Sequence, residues 1–178
     1  MIADWKQEIA IAWLVKQAMM DLDKENIFPY HMPELAASEE NISNAERMLG
    51  HELDSRFKEF LHHANGWQAF WHAADLFGTA DLIGGRRKET GQFLLKMIPD
   101  GVLCNSGIRR NDLLPISATK LDKDLFVITR PSSRYPGTVI WFAGEEVERY
   151  ASFDEYFLAM VNFSRKDVEW LRRRKSAI

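Results

Sequence analysis

The sequence predicts an α+β domain in which helices pack on a mixed, largely antiparallel sheet, with an extra helix at the N-terminus. Apolar residues recur at helical spacing towards both ends of the chain, whereas the middle carries short β-branched runs separated by Pro, Gly, Asp and Ser. Of the 178 residues, 46% are hydrophobic and 28% are charged, which is typical of a folded chain. This length corresponds to one domain with an appendage.

The first helix is predicted to run to about Leu22, because its apolar residues lie three, four or seven positions apart. These residues are Ile2, Trp5, Ile9, Ala12, Trp13 and Met20. Pro29 and Pro33 cannot continue a helix, so the following segment is interpreted as a connector. We therefore divide the chain into an N-terminal helix and connector (1–38), a central domain (39–163) and a basic C-terminal helix (164–178).

Two short helices are predicted at the start of the central domain. The first buries Ile42, Ala45 and Leu49 and ends at Gly50, because glycine adopts positive φ without a Cβ penalty. The second begins at Asp54 or Ser55, whose side-chain oxygen can accept a hydrogen bond from a free amide of the first turn. Its buried face comprises Phe57, Phe60, Leu61 and Ala64, and it ends at Asn65-Gly66.

Three strands are predicted at residues 92–98, 124–129 and 138–142, with residues 130–137 joining the last two as a hairpin. Residues 84–88, Gly-Gly-Arg-Arg-Lys, are interpreted as a solvated loop before the first of these strands. Glycines and cations could also hold a phosphate, but the spacing differs from that of a P-loop.

The C-terminal region carries two helix start signals. Ser152 and Glu155 have the spacing of a capping box, followed by an apolar face. Ser164 repeats such a signal and predicts a separate last helix. Residues 165–175 hold six basic and two acidic residues, a local charge of +4 that leaves −7 for the rest of a chain whose net charge is −3.

Several segments resemble, in order, those of the SUKH superfamily, specifically its Smi/Knr branch. They are Leu49-Gly50, Leu53, Phe57-Lys58, Phe60-Leu61, Asn65-Gly66, Leu114-Pro115-Ile116, the run 124–128, Val139-Ile140-Trp141 and the run 151–157. The similarity covers residues 42–161, and one position departs from the pattern, where the proline expected after a leucine is Asp54.

This resemblance implies a SUKH-like fold and a non-catalytic protein without a cofactor. Bacterial members are immunity proteins, which bind and neutralise toxins of polymorphic or contact-dependent systems. We therefore expect a protein partner, a cognate toxin, rather than nucleic acid or a membrane. The single cysteine, Cys104, excludes an internal disulfide, and we expect a cytoplasmic location.

Two other functions remain open from the residues alone. Glu59 and His63 lie four positions apart and could act in a metal-assisted hydrolase, although a surface ion pair explains them equally. The basic C-terminal residues could instead contact nucleic acid as part of a regulatory scaffold. We expect neither a catalytic residue nor a metal site.

Candidate partner-binding residues follow from charge and from aromatic content. The acidic remainder of the chain favours a cationic partner, with Asp81, Glu145, Glu146 and Glu148 as candidate contacts. The cluster Trp67, Phe70, Trp71 and Phe77 holds more rings than one buried face requires, so at least one is expected to be exposed. Trp71 is the candidate, because an exposed tryptophan is a natural interface anchor.

Overall fold

The computed structural model describes residues 4–176 and contains one six-stranded sheet with helices before, within and after it. The helices are α1 (Trp5–Leu22), α2 (Glu39–Leu49), α3 (Ser55–Leu61), α4 (Thr79–Ile83), α5 (Gly85–Met97), α6 (Asp100–Asn105) and α7 (Phe153–Ser176). The strands are β1 (Trp67–Trp71), β2 (Ala74–Leu76), β3 (Leu113–Ala118), β4 (Leu125–Thr129), β5 (Val139–Phe142) and β6 (Glu146–Tyr150). No helix in residues 4–176 has the length and apolar character needed to cross a bilayer.

The sheet has the strands in sequence order, and every neighbouring pair from β1 to β6 is antiparallel. The predicted α+β fold with an N-terminal helix is therefore confirmed, and the strands of residues 4–176 include no parallel pair. The hairpin predicted over residues 130–137 joins β4 to β5.

Helices cover both faces of the sheet. The ring of Phe126 on β4 lies 5.0 Å from that of Tyr156 on α7, whereas the preceding residue, Leu125, lines an apolar cavity with Leu94 of α5. Because successive side chains of a strand point to opposite faces, α7 and α5 lie on opposite sides of β4. This explains why β3 and β4 are buried at every position.

The N-terminal helix packs along α7 and completes an aromatic core. The ring of Trp5 lies 5.4 Å from Phe60, 5.6 Å from Phe153 and 5.2 Å from Phe157. Asp4 caps α1 by accepting a hydrogen bond from the amide of Gln7. Ile2, which the sequence places on the same apolar stripe, lies outside the described residues.

The start signals predicted for α2 and α3 and the stop at Gly50 are confirmed, whereas α3 ends at Leu61 and not at Asn65-Gly66 as predicted. Ser38 caps α2 and forms a capping box with Asn41, and Gly50 ends the helix at φ +74°. The carboxylate of Asp54 accepts hydrogen bonds from the amides of Arg56 and Phe57 and so caps α3.

The strand predicted at residues 92–98 is wrong, because these residues belong to α5 and its end. The loop assigned to residues 84–88 is also wrong, since α5 begins at Gly85. The run Phe93–Ile98 looks continuously apolar, yet Leu94, Leu95 and Ile98 are buried while Phe93 and Met97 are exposed. A short apolar run does not distinguish a strand from a half-buried helix.

The separate last helix predicted from Ser164 is also wrong, because α7 runs without a break from Phe153 to Ser176. The Ser164 hydroxyl is buried and donates to the carbonyl oxygen of Met160 at 3.1 Å, four residues earlier. A serine that bonds back into its own helix provides no new cap.

Candidate partner-binding surface

Three of the four acidic candidates lie together at the β6 end of the sheet. Glu145 precedes β6, and Glu146 and Glu148 lie on it. Glu146 accepts hydrogen bonds from the Arg149 guanidinium at 2.9 and 2.8 Å, and Glu148 accepts one from the Tyr150 hydroxyl at 2.8 Å. The Glu145 side chain is exposed and contacts no donor within residues 4–176.

These contacts shift the pKa values of Glu146 and Tyr150. Burial opposes ionisation of the Glu146 carboxyl, but the hydrogen bonds from Arg149 and Ser106 outweigh it and lower its pKa. Burial and the bond to Glu148 raise the pKa of Tyr150, so its hydroxyl keeps its proton. β6 and the preceding residue together carry three acidic side chains and one arginine.

A cavity of about 620 Å³ lies between β6 and the end of α6. Its lining comprises Val102, Asn105, Ser106, Glu145, Glu146, Val147 and Arg149. Arg149 crosses it, because its Nη2 also donates to the carbonyl oxygen of Ser106 at 2.9 Å. We call these residues together with Glu148 the β6 surface.

Asp81 does not belong to the β6 surface. It lies in the first turn of α4, where its carboxylate accepts hydrogen bonds from the Gly78 amide and from Arg87, each at 3.0 Å. Arg87 also binds Asp75 on β2, and β3, β4 and β5 separate β2 from β6. At about 4.8 Å per strand, the two acidic regions are about 20 Å apart.

The carboxylates around Arg87 form a structural ion cluster beside a polar cavity. Arg87 contacts Glu34 at 2.9 Å, Asp75 at 3.1 Å and Asp81 at 3.0 Å. Burial opposes its charge, but these partners outweigh burial and raise its pKa. Arg87 and Lys88, which binds the Ile83 carbonyl oxygen at 2.9 Å, are therefore already occupied and are poorly placed to hold a phosphate.

The aromatic cluster is buried, so the expectation of an exposed ring is wrong. Trp71 is only 8% exposed, and Trp67, Phe70 and Phe77 are more deeply buried. Trp71 stacks on His72 at 4.4 Å and meets Trp141 edge-on at 5.2 Å. A role for Trp71 in partner binding stays a prediction, and it would require the ring to become exposed.

The tryptophan with a large exposed fraction is Trp170 on α7, at 40%. The guanidinium of Arg174 lies 4.8 Å from its ring and also binds Glu25 at 3.0 Å. Part of the basic C-terminal region is thus engaged within the chain, and the Lys175 side chain lies outside what the structure describes.

The pair that could act in a metal-assisted hydrolase, Glu59 and His63, lies on the surface. Glu59 is exposed, and its carboxylate lies 3.6 Å from Nε2 of His63 as an i,i+4 pair. Cys104 is an exposed free thiol on α6. The part of the chain that the structure describes contains no group of three His, Cys, Asp or Glu residues able to hold a metal ion.

Comparison with known proteins identifies the family. No curated protein matches the chain. The family model described as the SMI1 / KNR4 family (SUKH-1) matches residues 36–159, which span α2 to the first turns of α7 and include the whole sheet. Because that match covers more than half of the chain, in agreement with the motifs at Gly50, Asn65-Gly66 and Ser152, the chain belongs to the SMI1/KNR4 (SUKH-1) family.

Proposed function

We propose that this chain is a non-catalytic immunity protein that binds and neutralises a bacterial toxin through the β6 surface. The SUKH-1 family is immunity-protein-like, which supports a role in protein binding. The observation that carries the choice of surface is the grouping of Glu145, Glu146 and Glu148 at one end of the sheet. The partner is encoded beside this chain, and the complex forms in the cytoplasm.

The chemistry of this surface selects a cationic partner. Glu145 is exposed and without a donor among residues 4–176, so its charge is available to a second protein. Outside residues 165–175 the chain carries a net charge of −7, which extends the attraction beyond the contact itself. Toxins that cleave or modify nucleic acids present basic active surfaces, so occupation of such a surface would block substrate entry.

The test is neutralisation by co-expression, followed by pull-down of the toxin domain encoded by the neighbouring gene. We expect Glu145→Lys to weaken binding about tenfold, mainly through a slower association rate that also loses much of its salt dependence. Glu40→Lys is the matched control, because Glu40 is exposed on α2 and its reversal changes the net charge equally.

Binding of no neighbouring toxin, together with no rescue of growth, would refute the proposed function. Equal loss of binding in the Glu145 and Glu40 variants would instead show that only the total charge matters. In that case the β6 surface would not be the contact.

A further inference from the structure

The two ends of the sheet differ in how their outer strands are covered. At the β1 end, Pro33 bridges to Trp67, and the Glu34 amide donates to the carbonyl oxygen of Gly66 at 3.0 Å. The ammonium of Lys16 donates to the carbonyl oxygen of Ala69 at 2.6 Å. At the other end, β6 pairs with β5 alone among the described strands. The sheet therefore has one covered edge and one open edge.

The register of the hairpins shows which main-chain groups of β6 point outwards. The Thr129 amide donates to the carbonyl oxygen of Thr138, so the main chain of Thr138 faces β4. The direction of the main-chain groups alternates along an antiparallel strand, so the main chain of Trp141, three residues later, faces β6. Its partner there is Glu148, while Arg149 lies opposite Ile140. The N–H and C=O groups of Arg149 therefore face away from β5, at the open edge.

The open edge adjoins a cavity that can receive a side chain from an added strand. The lining of that cavity, about 620 Å³, includes the exposed Glu145 side chain, Glu146 with its bound Arg149 guanidinium, and the apolar side chain of Val102. A lysine or arginine fits this lining, because its methylene stem can pack on an apolar surface while its charged end meets a carboxylate. Val147, which is 48% exposed, adds to the apolar part of the cavity lining.

Charges on an edge strand also prevent unwanted pairing, and here they exclude one occupant. A second copy of β6 would bring a second set of the carboxylates of Glu145, Glu146 and Glu148 beside the first, and like charges on neighbouring strands destabilise a strand pair. A segment of opposite charge meets no such repulsion. The occupant that fits is an extended basic segment of another protein.

We propose that the toxin inserts an extended, lysine- or arginine-containing segment alongside β6 as a seventh strand. This inference rests on the proposed function and names its binding mode. Main-chain hydrogen bonds to Arg149 provide affinity, and a cationic side chain in the cavity beside Glu145 provides specificity.

The main experiment measures amide hydrogen exchange of the full chain with and without the toxin domain. We expect the Arg149 amide to exchange at least about tenfold more slowly in the complex, because an added strand would accept its hydrogen. A toxin that binds without slowing exchange at Arg149 would overturn the seventh strand while leaving the proposed function intact.

A pair of variants isolates the main-chain contact. Arg149→Pro and Arg149→Val both remove the guanidinium, but only the proline removes the N–H, and proline is tolerated where an edge N–H faces solvent. We expect Arg149→Pro to weaken toxin binding at least about tenfold relative to Arg149→Val. Equal affinities would contradict the proposal. Should Arg149→Pro fail to fold, as judged by thermal unfolding, the exchange result for the unmodified chain decides.

A peptide probe tests the same edge when no toxin is captured. A ten-residue peptide of alternating lysine and valine should slow exchange at Arg149, whereas its glutamate counterpart should not. Equal protection by the two peptides, or protection by neither, would reject the basic strand even if a toxin were found later.

Discussion

Lys16 is buried midway along α1, where an ionised side chain is costly. Its ammonium binds the carbonyl oxygen of Ala69, a residue held at positive φ of 49°. The Ala69 amide is in turn bound by the Asp75 carboxylate at 2.8 Å. Burial lowers the pKa of Lys16 from 10.5 to about 8, although the charge of Asp167 partly opposes this shift.

This pKa predicts a pH dependence of stability. Between pH 8 and 10.5 the unfolded lysine keeps its proton while the folded one loses it, so the unfolded state binds more protons. The free energy of unfolding therefore rises with pH across this window, by at most about 3 kcal/mol from Lys16. Urea unfolding at the two limits should show this rise in the wild type and a smaller rise in Lys16→Met.

Lys6 supplies the control for this measurement, since it is exposed on the same helix. Lys6→Met should keep the wild-type rise. If Lys16→Met keeps it as well, the buried ammonium is not its source.

The residues of the candidate surface were only partly predictable from the sequence. The acidic turn before a strand brings Glu145 and Glu146 together by proximity alone. The register of β6 is irregular between Glu146 and Glu148, so Glu146 meets Arg149 while Glu148 meets Tyr150, and strand period alone does not predict this arrangement. Asp81 and Trp71 depend on tertiary contacts instead. The Asp81 carboxylate accepts hydrogen bonds from Arg87 and from the Gly78 amide, and the Trp71 ring packs against Trp141 of β5. Neither contact leaves a signal in the local sequence.

Helix α5 occupies residues where the sequence predicts a strand, and the reason lies in tertiary packing. Its position depends on Gly91, which packs against β3, and a Cβ there would lie 2.7 Å from Cβ of Pro115 and 3.2 Å from the Phe77 ring. A glycine within a sequence lowers its helix propensity, so Gly91 weakens the prediction of a helix there. Here it allows the helix to approach the sheet, a need that only the fold reveals. The amphipathic and capping signals of α2 and α3 were readable because they are local.

Gly91→Ala is predicted to destabilise the protein by about 1–3 kcal/mol, because Pro115 cannot move away as a flexible side chain would. The same change at Gly101 on α6 should stabilise it slightly, by about 0.5–1 kcal/mol, since no atom lies within 4 Å of that Cβ. Thermal unfolding of the two variants checks both signs. A gain in stability at Gly91 would show that helix propensity outweighs the close packing.

At the scale of the molecule, the hydrophobic core extends beyond the segment that matches the family. The match begins at residue 36, yet Trp5 is 2% exposed and its ring meets rings of α3 and α7. We therefore predict that α1 unfolds together with the sheet. Far-ultraviolet circular dichroism and tryptophan fluorescence should report the same urea midpoint.

Trp5→Ala tests this coupling. We expect a loss of about 3–5 kcal/mol, as for a large aromatic residue removed from a core. Trp170→Ala should cost less than about 1 kcal/mol, because Trp170 is 40% exposed. A similar small loss for both variants would mean that α1 is an attachment that the remaining fold does not need.

The covered β1 edge also limits how many chains an assembly can contain. Pro33, Glu34 and Lys16 close that side, so a strand can be added only beside β6. A molecule with one such edge is monovalent in strand pairing. Through strand pairing it can hold one added strand and cannot extend into a continuous sheet, however high its concentration.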